Sequence, residues 1–141
     1  MRLEALKKLK ILFVDDNVSM TKLFSLLGIE YGFVALVANS VKDGVKMAAK
    51  ELPDVVLTDV RMPDGGGYEL IGSLKALPAT KNIPVVGCSV TYQEEIRDDW
   101  VRFGGAKFYN DKPCTLENLN AILEGVVHKL QDYNQNHPEG D

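Results

Sequence analysis

The sequence Lys10-Ile11-Leu12-Phe13-Val14-Asp15-Asp16 is a short apolar run that ends in two adjacent carboxylates. The sequence Val55-Val56-Leu57-Thr58-Asp59 repeats this arrangement with one carboxylate. Both runs predict β-strands, over Lys10–Val14 and Val55–Thr58. The second run has almost no polar alternation, which is typical of a strand covered on both faces in a parallel sheet. Three carboxylates are therefore expected at the ends of two strands.

Three further apolar runs follow the same rhythm, and a stretch of helical periodicity comes after each strand. These runs predict strands over Phe33–Ala38, Val85–Ser89 and Lys107–Asn110. Five βα units in succession predict an α/β fold, with a doubly wound five-stranded parallel sheet and helices on both faces. The five predicted helices span about Ser19–Ile29, Ser40–Leu52, Tyr68–Ala76, Gln93–Phe103 and Leu116–Gln131.

The spacing of apolar residues predicts which face of each helix is buried. Residues three and four apart lie on one side of a helix, so each stripe of large apolar residues is expected to face the core. The residues expected to face inward on the first, second and fourth helices are Met20, Leu23, Phe24, Leu27, Val41, Val45, Ala48, Leu52, Ile96, Trp100 and Phe103.

Length and charge narrow the class of protein. The chain has 141 residues, which favours one domain, and 16 basic against 20 acidic residues give a net charge of −4. This balance argues against direct binding of nucleic acid. No apolar run approaches the roughly 18 residues of a membrane span, and no signal peptide is recognisable. Cys88 and Cys114 have no metal-ligand spacing, so we expect a reduced, cytoplasmic protein.

The domain itself is expected to span residues 10–131. Residues 1–9 carry Leu3, Leu6 and Leu9 at three-residue spacing, which is compatible with either a helix extension or a frayed leader. Residues 132–141 are polar, and we predict a disordered tail there.

Right-handed crossovers place the carboxyl ends of all parallel strands at one rim of the sheet. Asp15, Asp16 and Asp59 would therefore converge, although each could also serve as an ordinary turn or helix-cap residue. Converging carboxylates repel one another unless a cation joins them. Oxygen ligands without His or Cys favour Mg²⁺ that retains water. Lys112 would add an ammonium group at the same rim, and Ser89 a hydroxyl group.

Taken together, these pieces resemble a response-regulator receiver domain of the two-component and chemotaxis type. The resemblance covers roughly residues 10–130 and implies a (βα)5 flavodoxin-like fold with strand order 2-1-3-4-5. The matching segments are Ile11-Leu12-Phe13-Val14-Asp15-Asp16, Asp59-Val60-Arg61-Met62-Pro63 with Gly67, Ile83-Pro84-Val85-Val86-Gly87-Cys88-Ser89, and Gly105-Ala106 through Tyr109 to Lys112-Pro113.

The resemblance implies a role for each charged residue at this edge of the sheet, which we call the acidic rim (Asp15, Asp16, Asp59 and Lys112). Asp59 corresponds to the phosphoacceptor, which takes a phosphoryl group from a phosphohistidine on a histidine kinase or phosphotransfer protein. Asp15, Asp16 and the backbone carbonyl of Arg61 correspond to Mg²⁺ ligands beside Asp59. Lys112 corresponds to the cation that contacts the phosphoryl group. Such a protein is a signalling receiver that catalyses only its own Mg²⁺-dependent phosphorylation and dephosphorylation.

The resemblance also implies a switch. Ser89 and Tyr109 correspond to a hydroxyl and an aromatic ring that move when the phosphoryl group arrives. The signal would leave through the surface of the fourth helix, the fifth strand and the fifth helix (Gln93–Phe103, Lys107–Asn110 and Leu116–Gln131). The output partner is unknown, and a dimer could form there on phosphorylation.

One departure from the family pattern and two further positions bear on the rate of phosphorylation. Val90 stands where the family usually has Ala or Gly, so we expect a crowded entrance to Asp59 and slower phosphorylation. Arg61 and Thr91 occupy positions that tune the access of water. The crowding motivates an alternative, a receiver-like interaction module that works without phosphorylation. An aspartyl-phosphate hydrolase of the haloacid dehalogenase type would need a second Asp at position 61.

Overall fold

Five parallel strands form one sheet within the part of the chain that the structure describes. The structure, a computed structural model, describes residues 3–62, 65–89, 94–109 and 112–124. The strand order β2-β1-β3-β4-β5 confirms the expected fold, and all neighbouring strands run parallel. The strands are β1 (Lys10–Val14), β2 (Val34–Ala38), β3 (Val55–Thr58), β4 (Val85–Cys88) and β5 (Lys107–Tyr109), each within one residue of its predicted bounds.

Helices connect these strands in the order that the βα rhythm predicts. A short helix, α1 (Leu3–Leu6), precedes the first strand. The helices that follow are α2 (Val18–Tyr31), α3 (Val41–Glu51), α4 (Gly66–Ala76), α5 (Glu94–Arg102) and α6 (residues 116–124).

The two faces of the sheet bury two separate apolar cores. Along β1, Ile11 and Phe13 enter one core, whereas Leu12 and Val14 enter the other. This alternation follows from the two-residue period of a strand, and it explains why the strand needs an uninterrupted apolar run. All four of these side chains have no exposed surface.

The helices divide between these cores. The first core packs Phe24 and Leu27 of α2 and Leu119 of α6 against the sheet. The second packs α3, α4 and α5, for example through Leu70 and Trp100. Because helices cover both faces, the doubly wound arrangement is confirmed.

Trp100 of α5 packs against the first turn of α4. Its side chain is completely buried, and its ring lies edge-on to Tyr68, with 5.6 Å between ring centroids. Gly67 and Gly105 leave the space for it: a Cβ at Gly67 would lie 2.8 Å from the indole Cζ3, and one at Gly105 would overlap the indole nitrogen. Two glycines and one large ring thus form a tightly packed slot.

Side-chain and glycine caps mark the ends of the first two long helices, which lie within two residues of the predicted bounds. Asn17 caps α2 by accepting a hydrogen bond from the Met20 N–H, and Gly32 ends that helix in the left-handed conformation at φ 83°. The Ser40 hydroxyl accepts from the Asp43 N–H at 3.1 Å at the start of α3.

Three side chains expected to face the core are instead exposed. Leu23 is 46% exposed because α2 buries a face centred on Phe24 and Gly28, from which Leu23 is turned away. Leu52 is 52% exposed because α3 has already ended, with Leu52 itself as a left-handed cap at φ 50°. Phe103 is 61% exposed because α5 ends at Arg102, one residue earlier. These predictions were wrong.

The amino-terminal residues take the helical alternative that the sequence left open. Leu6 in α1 is 1% exposed and belongs to the first core. The predicted tail, 132–141, and the end of the last predicted helix lie outside the described residues. Within the described part of the chain, the helices are all too short or too polar to cross a membrane.

The slot around Trp100 predicts opposite effects for two glycine substitutions. Gly105→Ala should lower the free energy of unfolding by about 1–3 kcal/mol, because its methyl group overlaps the indole. Gly72→Ala is the control: Gly72 lies within α4, with nothing within 4 Å of a Cβ. That substitution should raise stability by about 0.5–1 kcal/mol. Urea denaturation measures both, and equal effects would contradict this packing.

Candidate functional site

The pairing of β1 with β3 positions two of the acidic residues. Val14 lies opposite Thr58 in the register, so the next residues, Asp15 and Asp59, leave adjacent strands at the same rim. The Asp59 N–H donates to the Val14 carbonyl at 3.0 Å, which continues the ladder one residue past the strand. Backbone hydrogen bonds of the sheet therefore fix the start of the acidic site.

Three carboxylates meet at this rim. Oxygen atoms of Asp15, Asp16 and Asp59 all lie within 4.8 Å of one another, as the sequence predicts. Asp15 is buried at 1% exposure, Asp59 is half-buried and Asp16 is exposed. Burial, followed by the charges of Asp15 and Asp59, raises the pKa of Asp16 above its ordinary value.

Lys112 bridges the two inner carboxylates. Its Nζ lies 2.6 Å from Asp15 Oδ2 and 3.1 Å from Asp59 Oδ2, and the side chain is 10% exposed. Burial opposes its charged form, but the Asp15 hydrogen bond and the two carboxylate charges outweigh this effect and raise the pKa of Lys112. Three carboxylates and one ammonium group leave two unbalanced negative charges. A divalent cation with oxygen ligands would balance these two negative charges.

Two asparagines that the sequence analysis did not single out as site residues hold Asp15 in place. The Asn17 N–H donates to Asp15 Oδ1 at 2.9 Å. The side-chain amide of Asn39 donates to the Asp15 carbonyl and to the Thr21 hydroxyl, both at 2.9 Å. The helix-cap position of Asn17 was a possible signal, whereas Asn39 reaches the site only through the pairing of β2 with β1.

The loop after β3 is held from two sides. The Thr58 hydroxyl donates to the Asp59 carbonyl at 2.9 Å, and the Gly67 N–H donates to the Val60 carbonyl at 2.8 Å. A Cβ at Gly67 would lie 2.9 Å from the Asp59 carbonyl oxygen as well as against Trp100. The backbone of Asp59 is thus packed, through one glycine, against the ring that anchors α5.

The other predicted site residues differ in how far the structure describes them. Arg61 is exposed, and its N–H lies 3.4 Å from Asp59 Oδ1. Ser89 is 8% exposed and directly follows β4, at the same rim. The backbone of Tyr109 ends β5 opposite Cys88. Val90 and Thr91 lie outside the described residues.

The thiol of Cys88, although next to Ser89, is suited to packing rather than to reaction. It is completely buried in the first core. Burial raises the pKa of the Cys88 thiol far above its ordinary value, which disfavours the reactive thiolate.

Comparisons with known proteins agree on one family. The family model described as the response regulator receiver domain matches residues 11–124. Protein PilH of Pseudomonas aeruginosa is 36% identical over 121 residues, which cover 82% of this chain and 98% of PilH. A response regulator structure from Desulfuromonas acetoxidans is 28% identical with a TM-score of 0.73, covering 86% of this chain and 98% of that chain. The chemotaxis protein CheY4 of Vibrio cholerae, 24% identical with a TM-score of 0.76, covers 84% of this chain and 98% of that one and shares the fold.

The raised pKa of Asp16 predicts a pH-dependent gain from removing its charge. Because the folded protein disfavours ionised Asp16, ionisation costs stability once the pH exceeds the unfolded pKa of about 3.9. Asp16→Asn should therefore raise the free energy of unfolding at pH 7, by less than about 1 kcal/mol because Asp16 is exposed. The gain should vanish as the pH falls toward about 4.

Urea denaturation in EDTA at several pH values measures this difference. Asp98→Asn is the control, since it removes the same charge from an exposed site on α5, and it should give no gain at pH 7. A gain for Asp16→Asn that is independent of pH would contradict the electrostatic explanation.

Proposed function

The chain belongs to the response regulator receiver domain family, and we propose that Asp59 is the residue that accepts its phosphoryl group. Receiver domains of this family act in two-component signalling, with histidine kinases or phosphotransfer proteins as partners, and are signalling modules rather than classical enzymes. The observation that carries the proposal is the bridge from Lys112 to Asp15 and Asp59. The bridge holds the Lys112 ammonium group beside the Asp59 carboxylate, which is still accessible from solvent.

The acidic cluster suits a magnesium ion. Receiver domains generally bind Mg²⁺ at such a cluster, and we propose that Asp15, Asp16, Asp59 and the Arg61 backbone carbonyl hold it here. The unbalanced charge of three carboxylates against one lysine supports a divalent ion. Once bound, Mg²⁺ would neutralise the negative charge of an incoming phosphoryl group.

The protein's own side chains would perform the transfer by positioning. A carboxylate oxygen of Asp59 attacks phosphorus, a P–O bond forms and the P–N bond to the donor histidine breaks, which leaves the electron pair on the imidazole. Lys112 moves from its contact with Asp59 Oδ2 to an oxygen of the phosphoryl group, while Asp15 retains it. Such transfer depends mainly on alignment and charge stabilisation, which a rigid strand-end site provides.

Phosphorylation of Asp59 would then alter the surface that α5, β5 and α6 form. We propose that the Ser89 hydroxyl donates to the new phosphoryl group and that the Tyr109 ring follows it inward. The packing of the Asp59 loop through Gly67 against Trp100 supports a second mechanical connection to α5. A phosphoryl group brings about −1.5 to −2 charge, enough to shift such a two-state element.

We propose that a histidine kinase or phosphotransfer protein is the donor and that an output partner binds the α5-β5-α6 surface. A dimer through the α5-β5-α6 surface on phosphorylation is one form that the output could take. A cytoplasmic location belongs to the same proposal and is supported by two free cysteines, Cys88 and Cys114.

Exposure to acetyl phosphate tests the proposal without a known kinase. With Mg²⁺ present, the intact mass should increase by one phosphoryl group, because a small donor needs only the metal, Asp59 and Lys112. Asp59→Asn should remove the adduct while keeping the fold, since the amide has the shape of the carboxylate. Addition of EDTA should also remove it.

Lys112→Met separates charge from packing, since it keeps an unbranched chain and loses the ammonium group. It should form the adduct at least about tenfold more slowly. The absence of an adduct in every sample would contradict phosphoryl acceptance and favour the phosphorylation-independent module. An adduct that persists in Asp59→Asn would place the acceptor elsewhere.

A further inference from the structure

The only tryptophan of the chain lies between two glycines that touch opposite edges of its ring. Trp100 is completely buried on α5. A Cβ at Gly67 would lie 2.8 Å from Cζ3, on the benzene edge of the indole, whereas a Cβ at Gly105 would overlap the pyrrole edge. Neither position has room for a side chain while the indole stays in place. The backbone of each glycine therefore closely flanks the ring.

Packing alone holds the indole within the part of the chain that the structure describes. The indole N–H of Trp100 has no hydrogen-bond acceptor there. A buried donor without a partner is costly, and an apolar side chain would fill the same space without that cost. The ring lies edge-on to Tyr68, with 5.6 Å between ring centroids. Because no hydrogen bond anchors the indole, its position follows the position of the groups that surround it.

The glycine on the benzene edge also contacts the backbone around Asp59. A Cβ at Gly67 would lie 2.9 Å from the Asp59 carbonyl oxygen, and the Gly67 N–H donates to the Val60 carbonyl at 2.8 Å. The Arg61 N–H lies 3.4 Å from Asp59 Oδ1. A shift of the indole toward Gly67 would therefore displace residues 59–61 and, with them, the Asp59 carboxylate.

We propose that Trp100 is a positioning residue for phosphoryl acceptance, and that it holds Asp59 in alignment through the backbone of Gly67. This inference rests on the proposed role of Asp59. Phosphoryl transfer depends on alignment, and a misplacement of about 1 Å is enough to slow a reaction strongly. The route runs through the first turn of α4 and differs from the movement proposed for Ser89 and Tyr109.

A methyl group at Gly105 tests this connection from the opposite edge of the ring. Gly105→Ala should push the indole toward Gly67 and slow adduct formation with acetyl phosphate and Mg²⁺ about tenfold. Intact mass measures the rate, on samples that circular dichroism shows to be folded. Gly72→Ala is the matched control, because nothing lies within 4 Å of a Cβ there. Its rate should equal that of the wild type.

A second substitution separates the indole from a different route. Gly105 lies two residues before β5, and the chain continues from β5 to Lys112, so the methyl group has another path to the site. Trp100→Leu removes the ring and should itself slow the reaction, because Gly67 loses its support. In that background, Gly105→Ala should have no additional effect. An additional tenfold loss would assign the effect to β5 and contradict the proposal.

Tryptophan fluorescence tests the connection in the wild type, and it decides the question even if Trp100→Leu fails to fold. Because Trp100 is the only tryptophan, the emission reports its surroundings alone. Adduct formation should change the emission with the same rate constant as the increase in mass. Asp59→Asn, treated in the same way, should show no change.

The outcomes distinguish this inference from the proposed function. If the wild type forms the adduct, an unchanged rate in Gly105→Ala or a constant emission would show that Trp100 only fills the core. Equal losses of rate in Gly105→Ala and Gly72→Ala would lead to the same conclusion. In each of these cases phosphoryl acceptance stands. The absence of an adduct in the wild type would refute the proposed function and the positioning role together.

Discussion

The site depends on the ion bridge from Lys112 to Asp15 and Asp59, 2.6 and 3.1 Å long. Three carboxylates at the ends of two adjacent strands repel one another, and a single ammonium group compensates only one of their charges. Two negative charges remain, which is the electrostatic reason for expecting a divalent cation. In the proposed function, a bound divalent cation and Lys112 together would offset the negative charge of the incoming phosphoryl group.

The rest of the fold holds these charged groups in fixed positions. Strands buried on both faces allow β1 and β3 to end side by side, and a backbone hydrogen bond from Asp59 to Val14 fixes their relative position. Trp100, packed against Gly67, connects the backbone of Asp59 to α5. The backbone of Asp59 therefore lies within a packed chain of contacts that reaches a surface helix.

Local sequence patterns were sufficient for the strands and for the convergence of the acidic residues with Lys112, because apolar runs and strand-end polar residues carry that information. The same patterns did not predict side-chain positions that depend on how helices and strands pack against one another. The orientation of Leu23 depends on where α2 lies on the sheet, and Asn39 reaches Asp15 only because β2 pairs with β1. The slot for Trp100 needs Gly67 and Gly105, which are far apart in sequence and meet only in the folded chain.

The most direct test of the central claim is the chemical location of the acyl phosphate. After reaction with acetyl phosphate and Mg²⁺, borohydride reduces an aspartyl phosphate to homoserine, and peptide mass spectrometry then identifies the converted residue. The account predicts conversion at Asp59 alone, because Asp59 is half-buried beside Lys112, whereas Asp15 is completely buried and accepts a hydrogen bond from the Asn17 N–H. Conversion at Asp15 or Asp16, or at no aspartate, would contradict it.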